Sequence, residues 1–403
     1  MSQQSVSLWR NRDYLLLWLG QGISSLGTGI SQLAFPLLIL ALPNSSPAVA
    51  GFAGALERLP YVLFSLPAGA LVDRWDRKRI MIICAIGLTL CITSIPIALL
   101  TGYLSILLIY LIAFTIGTLG LFYELAELAA LTHVVPKTQL SAAVTQNEAV
   151  YSTVSLLAPS LSGLLFSIGR LLPFITDAIS YLVLLGALLS MRIAFQEEHS
   201  EAPEHLLKQV REGMRWLWSH TIVRYLAFLA GYLYVVMSGS VLIILVIARQ
   251  HQISSDIVGI ILAVGGIGNL VGTALCTPFQ KRIRFGRGLC YMLLLFVLLW
   301  PLYSLSSTPV FLGMVVAALA LVDSIASILI ASYRLTVIPD DLQGRVGSVY
   351  RLILFGSLTL GQALIGISLE RLGVPITIAI LWGGLILMTG ITLINPPIRR
   401  ASL

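Results

Sequence analysis

Charge is what this chain has least of. Asp, Glu, Lys and Arg together make up 11% of its 403 residues, while 57% are hydrophobic. Soluble domains carry about 25% charged residues, so this chain has too little polar surface to cover a water-soluble globule. Cysteine is scarce as well. The four present (Cys84, Cys91, Cys276 and Cys290) fall in or at the ends of apolar segments with no Cys-x-x-Cys pair, which argues against a disulfide framework or a thiolate metal site. Five histidines, His133, His199, His205, His220 and His251, all fall in predicted connections, which argues against a metal or haem centre buried in a helical bundle. No Gly-x-x-x-x-Gly-Lys-Ser/Thr segment occurs, so ATP binding of that type is excluded. No nucleophile and base set is visible, and none of the connections is large enough for a soluble catalytic face. The composition therefore speaks against an enzyme, a cofactor and a nucleic-acid partner.

What is present is a series of long apolar runs. Read by length, with Pro, Gly and charge clusters as punctuation, they predict spans near 14–42, 48–72, 79–101, 104–132, 139–168 and 173–194. A second set follows near 222–248, 256–280, 288–307, 309–334, 344–370 and 374–395. The expected fold class is an all-α membrane protein of twelve transmembrane helices. The first run is much longer than the apolar core of a signal peptide, and it reads as a retained span.

Basic residues are distributed unevenly among the connections. Only Arg170, Arg249 and Arg371 fall in one alternate set and Arg58 within a span; the remaining 21 of the 25 Lys and Arg lie in the other set or at the termini. Basic loops resist translocation. Both termini are therefore expected in the cytoplasm of a multi-pass cell-membrane protein.

The stretch from 195 to 221 is the one long connection. It holds Glu197, Glu198, Glu201 and Glu204, then Leu206, Leu207, Val210, Met214, Leu217 and Trp218 at helical spacing, which predicts an acidic linker followed by an amphipathic helix on the cytoplasmic face. It divides the chain into an N-terminal six-helix bundle (1–194) and a C-terminal one (222–403). The halves are weakly alike. An offset of 203 sets Val135-Pro136 on Ile338-Pro339, and an offset of 208 sets the turn Asp73 to Arg79 on Lys281 to Arg287. Two pseudo-symmetric bundles related about the membrane normal are expected.

The turn Gly69-Ala70-Leu71-Val72-Asp73-Arg74-Trp75-Asp76-Arg77-Lys78-Arg79 has six charges in its last seven residues and must sit at a membrane face. It resembles the connection between helices 2 and 3 of the major facilitator superfamily, Gly-x-Leu-x-Asp-Arg-x-Gly-Arg-(Arg/Lys). Gly69, Leu71, Asp73, Arg74, Arg77 and Lys78 are in register, and Asp76 stands where the family has its second Gly. Three further segments resemble the superfamily's exporter branch of enterobactin-exporter and macrolide-efflux type. They are Asn11-Arg12-Asp13-Tyr14 before Leu17-Trp18-Leu19-Gly20-Gln21, Pro173-Phe174-Ile175-Thr176-Asp177-Ala178, and Pro339-Asp340-Asp341-Leu342-Gln343-Gly344-Arg345-Val346. The chain departs from the antiporter pattern at Ala158-Pro159-Ser160-Leu161-Ser162-Gly163, which keeps the Pro and one Gly, and it has no Arg between Tyr103 and Gly120.

The resemblance implies a monomeric secondary transporter working by alternating access in the lipid bilayer. Its expected partners are a small amphiphilic substrate of drug, macrolide or siderophore type to be exported, and protons as the candidate coupling ion. An importer or facilitator of a small metabolite is the alternative, and a non-transporting scaffold or sensor a remote one. Gln21, Ser24, Ser25, Thr28, Ser31 and Gln32 recur at intervals of three and four, so they share one face of the first span. That face reads either as the wall of a substrate path or as a packing seam. Glu57 with Arg58, and Asp323 in the tenth span, are charged groups deep in apolar runs, where a carboxylate must be paired, hydrated or protonated; they are the candidates for protons or substrate. Asp177 and Glu148, near span ends, read as capping or packing residues. The turn itself, with Gly69, Asp73, Arg74, Asp76, Arg77 and Lys78, is by resemblance a cytoplasmic gate, Asp73 meeting the N-terminus of the eleventh helix. Glu124 and Glu127, three apart near the inner end of the fourth span, are assigned to the same gate.

Overall fold

A computed structural model describes residues 8–43, 45–192, 206–306 and 308–400. The acidic linker with Glu197, Glu198, Glu201 and Glu204 lies outside the described residues. The long helices are α1 (Arg12–Ala41), α2 (Pro47–Arg74), α3 (Arg77–Thr101), α4 (Ile106–Val134), α5 (Leu140–Ile168) and α6 (Leu172–Ser190). After the amphipathic α7 (Leu206–Ser219) come α8 (Thr221–Gln250), α9 (Ser255–Arg282), α10 (Phe285–Leu299), α11 (Pro309–Val337) and α12 (Gln343–Ile394), closed by a short α13 (Pro396–Arg400).

Among the described residues, 10 helices are long and apolar enough to cross a membrane by length and composition. Two features raise that number to the expected twelve. The first is α2, whose 28 residues reach about 42 Å but carry Glu57, Arg58, Asp73 and Arg74. The second is α12, a run of 52 residues broken at Gly373, where φ is 76°. The Ser368 and Thr377 hydroxyls lie 2.8 Å apart across that break. In a continuous helix they would be separated by about 13 Å along the axis, so the chain reverses at Gly373 and both arms are spans. The left-handed backbone there is one that glycine adopts without steric cost.

The chain divides into two compact units, Met1–Leu38 with Leu56–Pro203, and Ile39–Ala55 with Glu204–Leu403. In unit 1, α3 packs against α4 and α6. The α1–α5 seam is tied by Ser162, fully buried, donating to the Ile30 carbonyl at 2.7 Å. In unit 2, α9 packs along α11 and α8 along α12. Large apolar side chains such as Ile83, Leu90, Leu100, Leu107 and Val310 point outward at 65–78% exposure. In water such a surface would aggregate; in a bilayer it is the lipid-facing coat.

Amphipathic α7 belongs to unit 2. Gly213 packs so closely that a Cβ there would lie 2.4 Å from the Arg345 carbonyl in the first turn of α12. Leu217 on the same side is fully buried, while Arg211, Arg215 and Trp218 are exposed.

Candidate functional site

The charged turn is a two-residue link, Trp75 and Asp76, between α2 and α3. Asp76 has extended backbone, φ −61° and ψ 109°, and its carboxylate accepts from the Arg79 amide at 3.1 Å. A carboxylate in this position caps one of the orphan amides at a helix start, so a residue other than glycine serves well. The basic residues that follow reach the ends of neighbouring helices. Arg77 donates to the Ala129 carbonyl of α4 at 3.3 Å and lies 3.1 Å from His133 Nδ1. Lys78 donates to the Met191 carbonyl at the end of α6 at 2.6 Å. Cations favour helix C-termini, where carbonyls lack partners. At the same end of unit 1, Asn11 donates to Val134 O at 2.8 Å, and Asp13 accepts from the Arg192 amide at 3.2 Å. Arg74 and Gly69 lie in the last turns of α2. One expectation is corrected here: His133 is not in a connection but in the last turn of α4, which runs two residues past the apolar run to Val134.

Deeper in unit 1, the polar face of α1 is shared between two cavities. Gln21 and Ser25 line one of about 290 Å³ with Trp18, Glu127, Glu148 and Tyr151. Gln21 accepts from Tyr123 of α4 at 2.7 Å. One turn on, Thr28, Ser31 and Gln32 line a narrow second cavity with Glu57, Asp177 and Tyr181; at about 30 Å³ it has room for water. Ser24 and Ser31 are buried at 4% and 6% exposure. The single face of the sequence reading is therefore part path and part seam.

Asp177 sits on that seam. Its carboxylate accepts from Ser31 at 2.5 Å and from Ser180 at 3.2 Å, and it is fully buried. Tyr181, one turn along α6, is 2.8 Å from Thr28. Glu57 pairs with its neighbour Arg58 at 3.6 Å, both side chains about a quarter exposed (25% and 24%). The Arg58 guanidinium lies 5.9 Å over the ring of Tyr61, whose hydroxyl donates to Glu124 at 2.9 Å. Glu57, Arg58, Tyr61 and Glu124 thus form one chain of contacts between α2 and α4, and Glu124 meets α2 three turns before the charged turn. Glu127 faces the larger cavity.

The tyrosines were missed by the sequence reading, yet a signal was present. Glu57 and Tyr61, Asp177 and Tyr181, and Tyr123 and Glu127 are each four residues apart, which puts an acid and a phenol on one helical face three times over.

In unit 2, Asp323 is half-buried on α11 and has no hydrogen-bond or ion-pair partner among the described residues. The next residue, Ser324, is buried and sits 2.8 Å from Thr273 of α9. Asp73 is placed at the end of α2.

Residues 4–401 match the family described as transmembrane secretion effector, a branch of the major facilitator superfamily. The chain belongs to that family. Its long apolar helices are those of a multi-pass membrane protein. It is similar to the macrolide efflux protein A of Streptococcus pyogenes, 28% identical over 51% of each chain, so that the alignment spans about half of that relative. It is also similar to the multidrug efflux pump Tap of Mycolicibacterium fortuitum, 25% identical over 94% of each. Among solved structures, a bacterial homologue of the iron transporter ferroportin superposes with a TM-score of 0.74 at 14% identity, covering 96% of this chain and 99% of that one. The nucleoside transporter NupG superposes with a TM-score of 0.73 at 12% identity, covering 95% and 98%. These two likenesses establish the shared fold.

Proposed function

We propose that this transporter exports a small amphiphilic compound by alternating access, driven by proton entry. The observation that carries the reading is the narrow polar cavity of unit 1, where the Glu57 carboxylate, a quarter exposed, lies among Thr28, Gln32, Asp177 and Tyr181. A carboxylate there is stable when paired, hydrated or protonated. Ionised, Glu57 holds Arg58; protonated, it releases that guanidinium, which is then held by the Tyr61 face and the neighbouring Glu124. Proton binding thereby redistributes contacts between α2 and α4, and a ligand that prefers one distribution shifts the equilibrium between conformations. Efflux as the direction rests on the macrolide and multidrug exporters among the relatives.

In this reading both termini face the cytoplasm, as the basic loops require, and the turn from Gly69 to Arg79 closes the cytoplasmic side. The two bundles rock as bodies, and the working form is a monomer. Cells expressing the protein are expected to accumulate several-fold less of an amphiphilic fluorescent probe such as ethidium, and a protonophore should abolish the difference. A panel of amphiphilic probes that all accumulate equally with and without the protein would overturn export.

A further inference from the structure

Unit 2 has a cavity of about 250 Å³ whose polar lining is basic. Arg334 of α11 and Arg351 of α12 both reach it, together with Tyr234 of α8, Ser327 and Tyr350. Arg334 is stacked on the Tyr350 ring, its guanidinium carbon 4.1 Å from the centroid. Neither arginine has a carboxylate partner among the described residues. Arg334 is half-buried and Arg351 exposed, so two guanidinium groups share one open concavity whose lining holds no acid, an arrangement that attracts an anion.

The basic character is not a property of the architecture. The helices that line this cavity, α8, α11 and α12, are the first, fourth and fifth spans of their half. The 290 Å³ cavity of unit 1 is lined from α1, α4 and α5, the first, fourth and fifth of the other half, and there the charged groups are Glu127 and Glu148. Under the offset of 203 that sets Val135-Pro136 on Ile338-Pro339, Arg351 occupies the place of Glu148. The same position in the repeat carries opposite charge in the two halves.

We propose that the unit 2 cavity is an anion site, binding a carboxylate, sulfonate or phosphate group through the Arg334 and Arg351 guanidiniums, with the adjoining aromatic part of the ligand against Tyr234 and Tyr350. Planar guanidinium groups suit such oxyanions. The volume is smaller than the roughly 300–1,000 Å³ of a drug-sized site, so the cavity takes the charged end of a ligand. This deepens the reading of the protein as a small-molecule transporter by giving its ligand a negative group. The same chemistry fits the phosphate of a lipid headgroup.

Calorimetric titration of the full-length protein in phosphatidylcholine nanodiscs tests this without any transport step, so it can fail while export stands, or succeed while proton coupling fails. Naphthalene-1-sulfonate should bind, and the trimethylammonium compound on the same ring should bind at least tenfold more weakly. Arg334→Gln and Arg351→Gln should each weaken the sulfonate about tenfold or more, the usual scale of a lost charged hydrogen bond. Arg351→Lys should keep the preference for the anion at reduced affinity, and Arg351→Glu should invert the preference towards the cation, which a merely misfolded variant would not do. Competition by phosphatidylglycerol nanodiscs would assign the site to lipid phosphate, and absence of competition to a soluble ligand. Equal binding of anion and cation, or sulfonate binding unchanged in the double Gln variant, would overturn the proposal.

Discussion

A Cβ on Gly117 would lie 1.9 Å from the carbonyl oxygen of Glu57, so α4 touches α2 backbone to backbone at the level of the intramembrane acid. Membrane helices associate through such small-residue contacts, and here the contact fixes the height of Glu57 against α4. Replacing Gly117 by Ala forces the helices apart, and overpacking of this kind costs about 1–3 kcal/mol. Gly117→Ala is expected to lower the melting temperature of the purified protein by several degrees in a thermal-shift scan. Gly186→Ala on α6, where nothing lies within 4 Å of the added carbon, should leave it unchanged.

The Asp177 carboxylate is the acceptor for Ser31 and Ser180 in a fully buried position. Asp177→Ala leaves Ser31 only the Thr28 carbonyl at 3.1 Å and Ser180 only the carbonyl of residue 177 at 2.7 Å as acceptors, and each lost side-chain hydrogen bond contributes about 0.5–1.5 kcal/mol. Asp177→Asn keeps one acceptor oxygen in place and should lose less than half as much. Denaturation of the two variants in matched detergent measures the difference; equal losses would mean that the seam is not held by these bonds.

How far the sequence could be read follows from these residues. Span positions were legible because apolar length is a strong signal, and the reversal at Gly373 was anticipated from the Arg371-to-Pro375 turn although the helix is nearly continuous through it. The partners of the charged residues were not legible. Apolar periodicity says which face of α2 carries Glu57, but the Glu124 contact depends on the relative height of α2 and α4, which the Gly117 contact sets. Likewise Asp177, near the start of α6, read as a cap or packing residue, and its tie to Ser31 exists only once α1 and α6 are side by side. The cavity of unit 2 escaped notice because Arg334 and Arg351 read as ordinary basic residues at one membrane face.

Glu212 of α7 accepts from Arg345 in the first turn of α12 at 2.6 Å, both about a third exposed (38% and 34%). A pair this exposed contributes at most about 1 kcal/mol, but it fixes the register of α7 on α12. Glu212→Lys should raise tryptic cleavage after Arg211 and Arg215 several-fold in limited proteolysis. The charge swap Glu212→Arg with Arg345→Glu should bring cleavage back near the wild-type rate.

The orientation has its own check. A cysteine at Glu201, reacted with a membrane-impermeant maleimide, is expected to label in inside-out vesicles and to remain unlabelled in intact cells. The reverse pattern would invert the topology and with it the direction of every proposed step.

Proton coupling through Glu57 is the central claim, and purified protein in liposomes tests it most directly. With a transported probe identified, an imposed pH gradient should drive the probe against its concentration gradient, and collapsing the pH gradient should stop that accumulation. Glu57→Gln should lose gradient-driven accumulation while still exchanging the probe at equilibrium. Accumulation that survives collapse of the gradient, or a Glu57→Gln variant that still concentrates the probe, would contradict the account.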